Sequence, residues 1–203
     1  MEKWKINNNT LEYDDETHIY YVDGVIVPSV TQIVKFAYPS TYADIDPMIL
    51  KKAAELGTKM HKDIEDFENY KHVDSSIELD NYIKLKTYFK WQVKHNEIPV
   101  IIYNGDVPLC VGRIDQIINI NDELCVNDLK RTKEVHHKNL MLQLSLYALG
   151  YEQSYGREID LGYCTHLRKD KAEFISIKLD KNKAIEKCLE YAKQTESEDE
   201  FEW

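Results

Sequence analysis

Val111-Gly112-Arg113-Ile114-Asp115-Gln116-Ile117-Ile118-Asn119-Ile120, then Asn121-Asp122, then Glu123-Leu124-Cys125-Val126-Asn127-Asp128-Leu129-Lys130, is the stretch that decides how this chain is read. Two runs rich in β-branched residues flank an Asn-Asp pair, the pattern of two strands joined by a two-residue hairpin turn. In that register Ile120 pairs with Glu123, and the same spacing continued along both strands sets Asp115 across from Asp128. Opposed residues hold their β-carbons about 4.5–5.5 Å apart. Two like charges there destabilise the pair unless something positive lies between them, and a divalent metal is the natural candidate. Side chains alternate along a strand, so Lys130 shares the face of Asp128, and Arg113 that of Asp115. Leu129 points into the core and offers its backbone carbonyl as a further oxygen. A bulge or a longer turn would break this register, and a solvated face with cross-strand ion pairs is the competing reading.

Upstream, residues 11–27 read as a β-hairpin around the turn Asp23-Gly24. Ser29 is placed to cap a short helix from Val30 to about Phe36, and a Tyr/Pro-rich loop follows. Asp46-Pro47 starts the next helix. Along it Leu50, Ala53, Leu56, Met60, Ile64 and Phe67 recur at steps of three and four, which predicts a buried face. Gly57, His61, Glu65 and Glu68 form the opposite stripe, where Gly57 leaves room for close approach. A further helix is expected from about Ser76 to His95, with Ile77, Tyr82, Leu85, Phe89 and Val93 inward. Strands are expected over 97–103, 109–120 and 123–130, a helix over about 139–153, strands over about 159–166 and 172–179, and a helix over about 181–194. That order predicts an α/β (α+β mixed) fold: a mixed central sheet flanked by helices. A single domain is expected over 1–195, with the N-terminal hairpin and helix, 11–36, as an appendage. The acidic tail 196–203 is expected to be disordered.

Composition narrows the function classes. Hydrophobic residues make up 43% of the 203, an ordinary globular share that excludes a wholly disordered chain. No apolar run approaches the roughly 18 residues that span a bilayer, and the start, MEKWKINNNT, is not a secretory signal. A cytoplasmic protein without membrane contact is therefore expected. Cys110, Cys125, Cys164 and Cys188 are scattered with no C-x-x-C pair, which suits buried reduced thiols and neither a disulfide framework nor an iron–sulfur cluster. The net charge is −10, but residues 196–202 carry five acidic side chains, half of that total. Lys130, Arg131, Lys133 and Lys138, with His136 and His137 among them, make a locally basic stretch. Net charge governs solubility and steering, so it excludes no enzyme that handles phosphates in one cleft. His136-His137 has no third ligand at a useful spacing, so no structural zinc is expected. Without G-x-x-x-x-G-K-[ST] there is no P-loop and no ATP site of that kind.

Together these residues resemble the PD-(D/E)XK nuclease superfamily in its RecB-like, phage-exonuclease branch. Gly57-Thr58-Lys59-Met60-His61 matches that family's G-x-x-x-H helix, and Glu97 its glutamate before the first strand. Gly112-Arg113-Ile114-Asp115 matches G-x-x-D, Asp128-Leu129-Lys130 matches D-x-K, and Gln143-Leu144-Ser145-Leu146-Tyr147 matches Q-x-x-x-Y. Val27-Pro28-Ser29-Val30-Thr31 resembles a segment common near the start of such phage proteins. The likeness spans about residues 25–150 and implies a restriction-endonuclease-like αβββαβ core.

The resemblance implies a metal-dependent DNA exonuclease of the phage recombination or repair type. It assigns metal coordination to His61, Asp115, Asp128 and the Leu129 carbonyl. Oxygen ligands with one imidazole suit Mg²⁺ or Mn²⁺. Lys130 would orient the attacking water or stabilise the phosphate, and Glu97 is a weaker candidate for a second metal. Glu65 and Arg113 are supporting candidates. Gln143 and Tyr147 would touch the DNA backbone or brace the lysine, and Arg131, Lys133 and Lys138 are candidate phosphate contacts. The implied partners are DNA, as linear duplex or single strand, and a single-strand annealing protein; a homo-oligomer is compatible. A structure-specific or restriction-like endonuclease would use the same site. A non-catalytic nucleic-acid-binding module is the third alternative.

Overall fold

Nine strands and five helices form among the residues described by the computed structural model, 1–39 and 46–199, with backbone alone for 196–199. The first four strands, β1 (Glu2–Ile6), β2 (Asn9–Asp14), β3 (Ile19–Val22) and β4 (Val25–Val27), make an antiparallel meander. The turn between β3 and β4 is Asp23-Gly24, with φ of 50° and 81°, as the residue pair demands. The sheet starts earlier than the expected hairpin, because Glu2–Ile6 pairs along β2 from Glu2↔Tyr13 to Ile6↔Asn9. Ser29 caps α1 (Val30–Ala37) through a capping box with Gln32. Residues 40–45 of the Tyr/Pro-rich loop lie outside the described residues.

Asp46 Oδ1 accepts from the Met48 N–H (2.8 Å) and Pro47 opens α2 (Pro47–Glu68). Only the second half of this helix packs: Met60 and Ile64 are buried, while Leu50 and Leu56 are 37% and 39% exposed. The expected apolar face over 50–56 is thus not a core face, because nothing described lies against it. Among the described residues, nothing outside the helix's own turn approaches the Cβ position of Gly57 within 4 Å either. Helix α3 (Ile77–Phe89) stops at Lys90, which takes φ 59°. It does not run to His95, because residues 92–95 join β5 (Gln92–Asn104) and pair with β6 (Val107–Ile120) from Gln92↔Asn119 onward. Leu79 and Tyr82 bury the inner face of α3, whereas Ile77 is 50% exposed.

Strands β5, β6, β7 (Glu123–Lys130), β8 (Leu161–Leu167) and β9 (Ala172–Lys178) form the main sheet in that order. All neighbours are antiparallel except β7 and β8, which are parallel and joined through α4 (His137–Tyr155). The architecture is mixed α/β, in the order α-β-β-β-α-β. One face of the sheet packs on α1, α4 and α5 (Lys181–Asp199), through residues such as Val34, Leu144, Leu146 and Cys188. The other packs on α2 and α3, through Met60, Ile64, Leu79 and Tyr82. The N-terminal sheet packs by Leu11 and Val22 on Ile101 of β5 and Val111 of β6. Helix α5 extends to Asp199, and residues 200–203 of the acidic tail lie outside the described residues. No helix among the described residues is long and apolar enough to cross a membrane.

The β6–β7 register follows the hairpin reading, but the ladder is shorter. Asn121 and Asp122 take φ of 51° and 66°, and pairing runs from Ile120↔Glu123 to Gln116↔Asn127. Asp115 and Asp128 are the next residues out and form no ladder pair. Strand β7 stays paired with β8 on its other edge from Cys125↔Leu161 to Lys130↔His166, while the Val111 N–H of β6 donates to the Pro28 carbonyl at 2.9 Å. The hairpin opens at the two aspartates, and the N-terminal segment takes up part of the edge that β7 leaves.

Candidate metal centre

Asp115 sits where the sheet is irregular. Its partner level on β5 is Glu97, flanked by the pairs Asn96↔Gln116 and Ile98↔Ile114. Glu97 takes φ 48°, a left-handed conformation that costs a non-glycine residue roughly 1–3 kcal/mol. Glu97 therefore lies inside β5 at a kink, not ahead of the first main-sheet strand as expected. His61 of α2, Glu97 and Asp115 bring ligand atoms within 4.8 Å of one another.

The hydrogen bonds around this group set its chemistry. His61 Nε2 lies 2.8 Å from the Leu129 carbonyl, which can only accept, so Nε2 carries the proton and donates. In the neutral ring that leaves the Nδ1 lone pair facing Asp115 Oδ1 at 3.6 Å. The other Asp115 oxygen accepts the Leu129 N–H at 2.7 Å. Leu129 thus holds both residues, through its N–H and its carbonyl, and the carbonyl keeps a second lone pair.

Asp128 is buried on the α4 side. Lys130 Nζ donates to its Oδ1 at 2.9 Å and lies 2.7 Å from Oδ2. Gln143 Nε2 also donates to Oδ1 at 2.9 Å and lies 3.3 Å from the Tyr147 hydroxyl. Asp128 Oδ2 is left buried with no well-directed hydrogen bond. Gly112 explains how Tyr147 reaches this place: a Cβ there would stand 2.7 Å from Tyr147 Cε1.

The carboxylates are held in an unfavourable state. Burial pushes the Glu97 carboxyl up to about 7, the Asp115 charge adds to it, and Arg113 opposes it. Burial pushes Asp128 up to about 6, against the attraction of Lys130. For Lys130, burial favours the neutral amine, but Asp128 and Asp115 outweigh it and raise the pKa. Lys130 is a cation here, not a free base. Lone pairs from His61 and Asp115 that face each other, and carboxyls of Glu97 and Asp128 pushed up first by burial and further by the Asp115 charge, fit a hard divalent cation. His61, Glu97 and Asp115 are the three placed to hold it together. Asp128 and the Leu129 carbonyl border them.

The remaining sequence candidates fall at varied distances from this chemistry. Arg113 Nε pairs with Glu97 at 3.0 Å, and its Nη1 lies 3.2 Å from Glu2. Glu65 pairs with Lys62 at 3.2 Å. Arg131 is not on an open basic loop: its Nε meets Glu78 at 2.9 Å, because α3 starts beside the end of β7. Lys133, on the segment leading into α4, and Lys138, in the first turn of α4, are exposed.

Two sets of residues escaped the sequence reading. Tyr13, Tyr20 and Lys35 line a cleft of about 500 Å³ with His61, Glu97 and Asp115, so the N-terminal sheet and α1 form a wall of the site. Nothing local in β2 or β3 signals this. The second set is a buried chain on the opposite sheet face. Thr165 Oγ1 donates to Asn127 (2.8 Å), Asn127 Nδ2 to Gln116 (3.0 Å), and Gln116 Nε2 to Tyr82 (2.9 Å) and Asn96 (3.1 Å). Tyr82 then donates to Glu68 on α2 at 3.0 Å. Amides inside the apolar runs of β6 and β7 are its available sequence signal.

No protein-family model matches the chain, and no curated protein matches it either. The crystal structure of SSO0001 is similar over 79% of this chain and 72% of that chain, at 20% identity and a TM-score of 0.46. A likeness that slight carries no argument about activity.

Proposed function

We propose that this protein is a Mg²⁺- or Mn²⁺-dependent nuclease that hydrolyses phosphodiester bonds of DNA. The observation that carries this reading is the convergence of His61, Glu97 and Asp115 within 4.8 Å, beside an Asp128–Lys130 pair on the opened end of one hairpin. A bound divalent cation would neutralise charge on the phosphate and make water more acidic. The chain's own groups would do the rest. Lys130, kept protonated by Asp128, would supply positive charge to the phosphoryl oxygens. Asp128, buried against Lys130 and Gln143, would hold the lysine ammonium in place and border the cation. Gln143 and Tyr147 would fix Asp128, and Leu129 would fix His61 and Asp115 together. The exonuclease form of this reading comes from the resemblance to RecB-like and phage enzymes.

The test sets purified protein on linear and closed-circular duplex DNA with Mn²⁺, Mg²⁺ or EDTA, beside Lys130→Ala. Loss of linear DNA alone, dependent on metal and on Lys130, is expected. Cutting of circles as well would make the enzyme an endonuclease. Binding without cleavage, equal in both proteins, would mean that the site only recognises nucleic acid.

A further inference from the structure

Two clefts share Glu97 of the metal-ligand cluster as a lining residue. The first, about 500 Å³, runs from Glu97 past Tyr20 and Tyr13 to Lys35. The second, about 630 Å³, runs from Glu97 past Asn96 and Lys94 to Tyr70. Glu97, with φ 48°, is the residue common to both. The volumes fall within the roughly 300–1,000 Å³ of sites for single small ligands, room for individual nucleotides in each cleft.

Each cleft carries the same equipment. Lys35 in one and Lys94 in the other are exposed. Tyr13 and Tyr20 line the first, with ring centroids 4.5 Å apart, and Tyr70 in the second is 99% exposed. An exposed tyrosine ring offers a face on which a base can stack. Other charges in the clefts are already matched: Lys86 pairs with Glu68 at 2.6 Å, and Arg113 with Glu97 at 3.0 Å. Cations tracking a backbone with aromatic rings between them are the equipment of a single-strand groove.

We propose that the two clefts are arms of one track for single-stranded nucleic acid. The scissile phosphate lies at Glu97, and nucleotides are held on both sides of it. This rests on the nuclease reading above. A strand then passes across the cluster instead of ending at it, and unpaired strands or frayed ends are the preferred substrate over blunt duplex.

The test measures binding of a labelled single strand of about 12 nucleotides, and of the matching blunt duplex, by anisotropy with Ca²⁺ in place of Mg²⁺. Cleavage of both is measured with Mg²⁺ or Mn²⁺. Lys35→Glu and Lys94→Glu should each weaken single-strand binding by about tenfold, Tyr70→Ala should weaken it too, and Lys178→Glu on β9 serves as the control. Metal-dependent cleavage with duplex preferred, or with Lys94→Glu matching the control, overturns the track and leaves the nuclease reading standing. Single-strand binding sensitive to both lysines but without cleavage supports the track and overturns the nuclease reading. No binding and no cleavage of either nucleic acid overturns both.

Discussion

The β6–β7 hairpin carries polar residues on both faces at the same level, and the two faces are finished differently. On the α3 side, Gln116 and Asn127 are fully buried, and each amide finds partners in the chain that runs from Thr165 to Tyr82. On the other side, their sequence neighbours Asp115 and Asp128 are acceptors only: Asp115 Oδ1 faces the His61 Nδ1 lone pair at 3.6 Å, and Asp128 Oδ2 has the Lys130 charge at 2.7 Å but no directed hydrogen bond. Amides carry donors and acceptors and can satisfy one another, whereas carboxylates only accept. The same two strands thus make a closed scaffold on one face and an open demand for a cation on the other. The first face contributes stability, and the second stores a penalty that a ligand can remove.

Substitution of neighbouring residues breaks the comparison most directly. Asp115→Asn is expected to lower metal-dependent hydrolysis by about 10³-fold or more while leaving thermal stability unchanged or higher. Asn127→Ala strands the Gln116 carbonyl and the Thr165 hydroxyl, so it is expected to cost about 2–4 kcal/mol of stability. Denaturant unfolding beside single-turnover cleavage checks both. If Asn127→Ala is as stable as wild type, the two faces do not differ as argued.

A smaller effect lies in the pH dependence without metal. Asp128 at about 6 and Glu97 at about 7 lie above their ordinary values of 3.8 and 4.5. The folded state therefore binds these protons more tightly than the unfolded one. Their contribution is fully present below about pH 4 and is lost as pH rises through 6 to 7. In EDTA the unfolding midpoint should fall across that window by the equivalent of several kcal/mol, at about 1.4 kcal/mol for each pKa unit. Asp128→Asn should flatten the slope, and Mn²⁺ should raise the midpoint at pH 8. A midpoint that rises with pH in EDTA would show the open face to be satisfied after all.

The smallest expected effect sharpens where the open face ends. Lys133→Ala and Lys138→Ala alter exposed side chains, so stability should stay within about 0.5 kcal/mol. If the segment after β7 extends the site, each should weaken DNA binding a few-fold and lower the salt slope by about one. Salt-dependent binding isotherms measure this, and unchanged slopes would end the site at Lys130.

Local chemistry made much of the fold legible. The turns at Asp23-Gly24 and Asn121-Asp122, the Ser29 cap and the Asp46-Pro47 helix start each depend on residues within a few positions of one another. Strand β7 was legible at both ends, because its turn and its apolar alternation are local. Strand β1 was not, since Glu2–Ile6 is a strand only through pairing with β2. The end of α3 was not either, because the helical spacing of Leu85, Phe89 and Val93 continues past Lys90, where pairing with Asn119 and Ile118 takes over.

For the candidate site the division is similar. From the residues alone came the hairpin register and the nearness of Asp115 to Asp128, because turn type and a side-chain period of two determine which residues oppose. Resemblance to nuclease motifs added His61, Glu97 and Gln143 to the same set. Tertiary structure alone decided that the ladder stops at Gln116↔Asn127 and that Leu129 braces His61 and Asp115. It also decided that the N-terminal sheet walls the cleft and that Arg131 is taken by Glu78. These depend on which distant segments compete for the same strand edge or the same charge, and that competition is settled by packing of the whole chain, not by the spacing of residues along it.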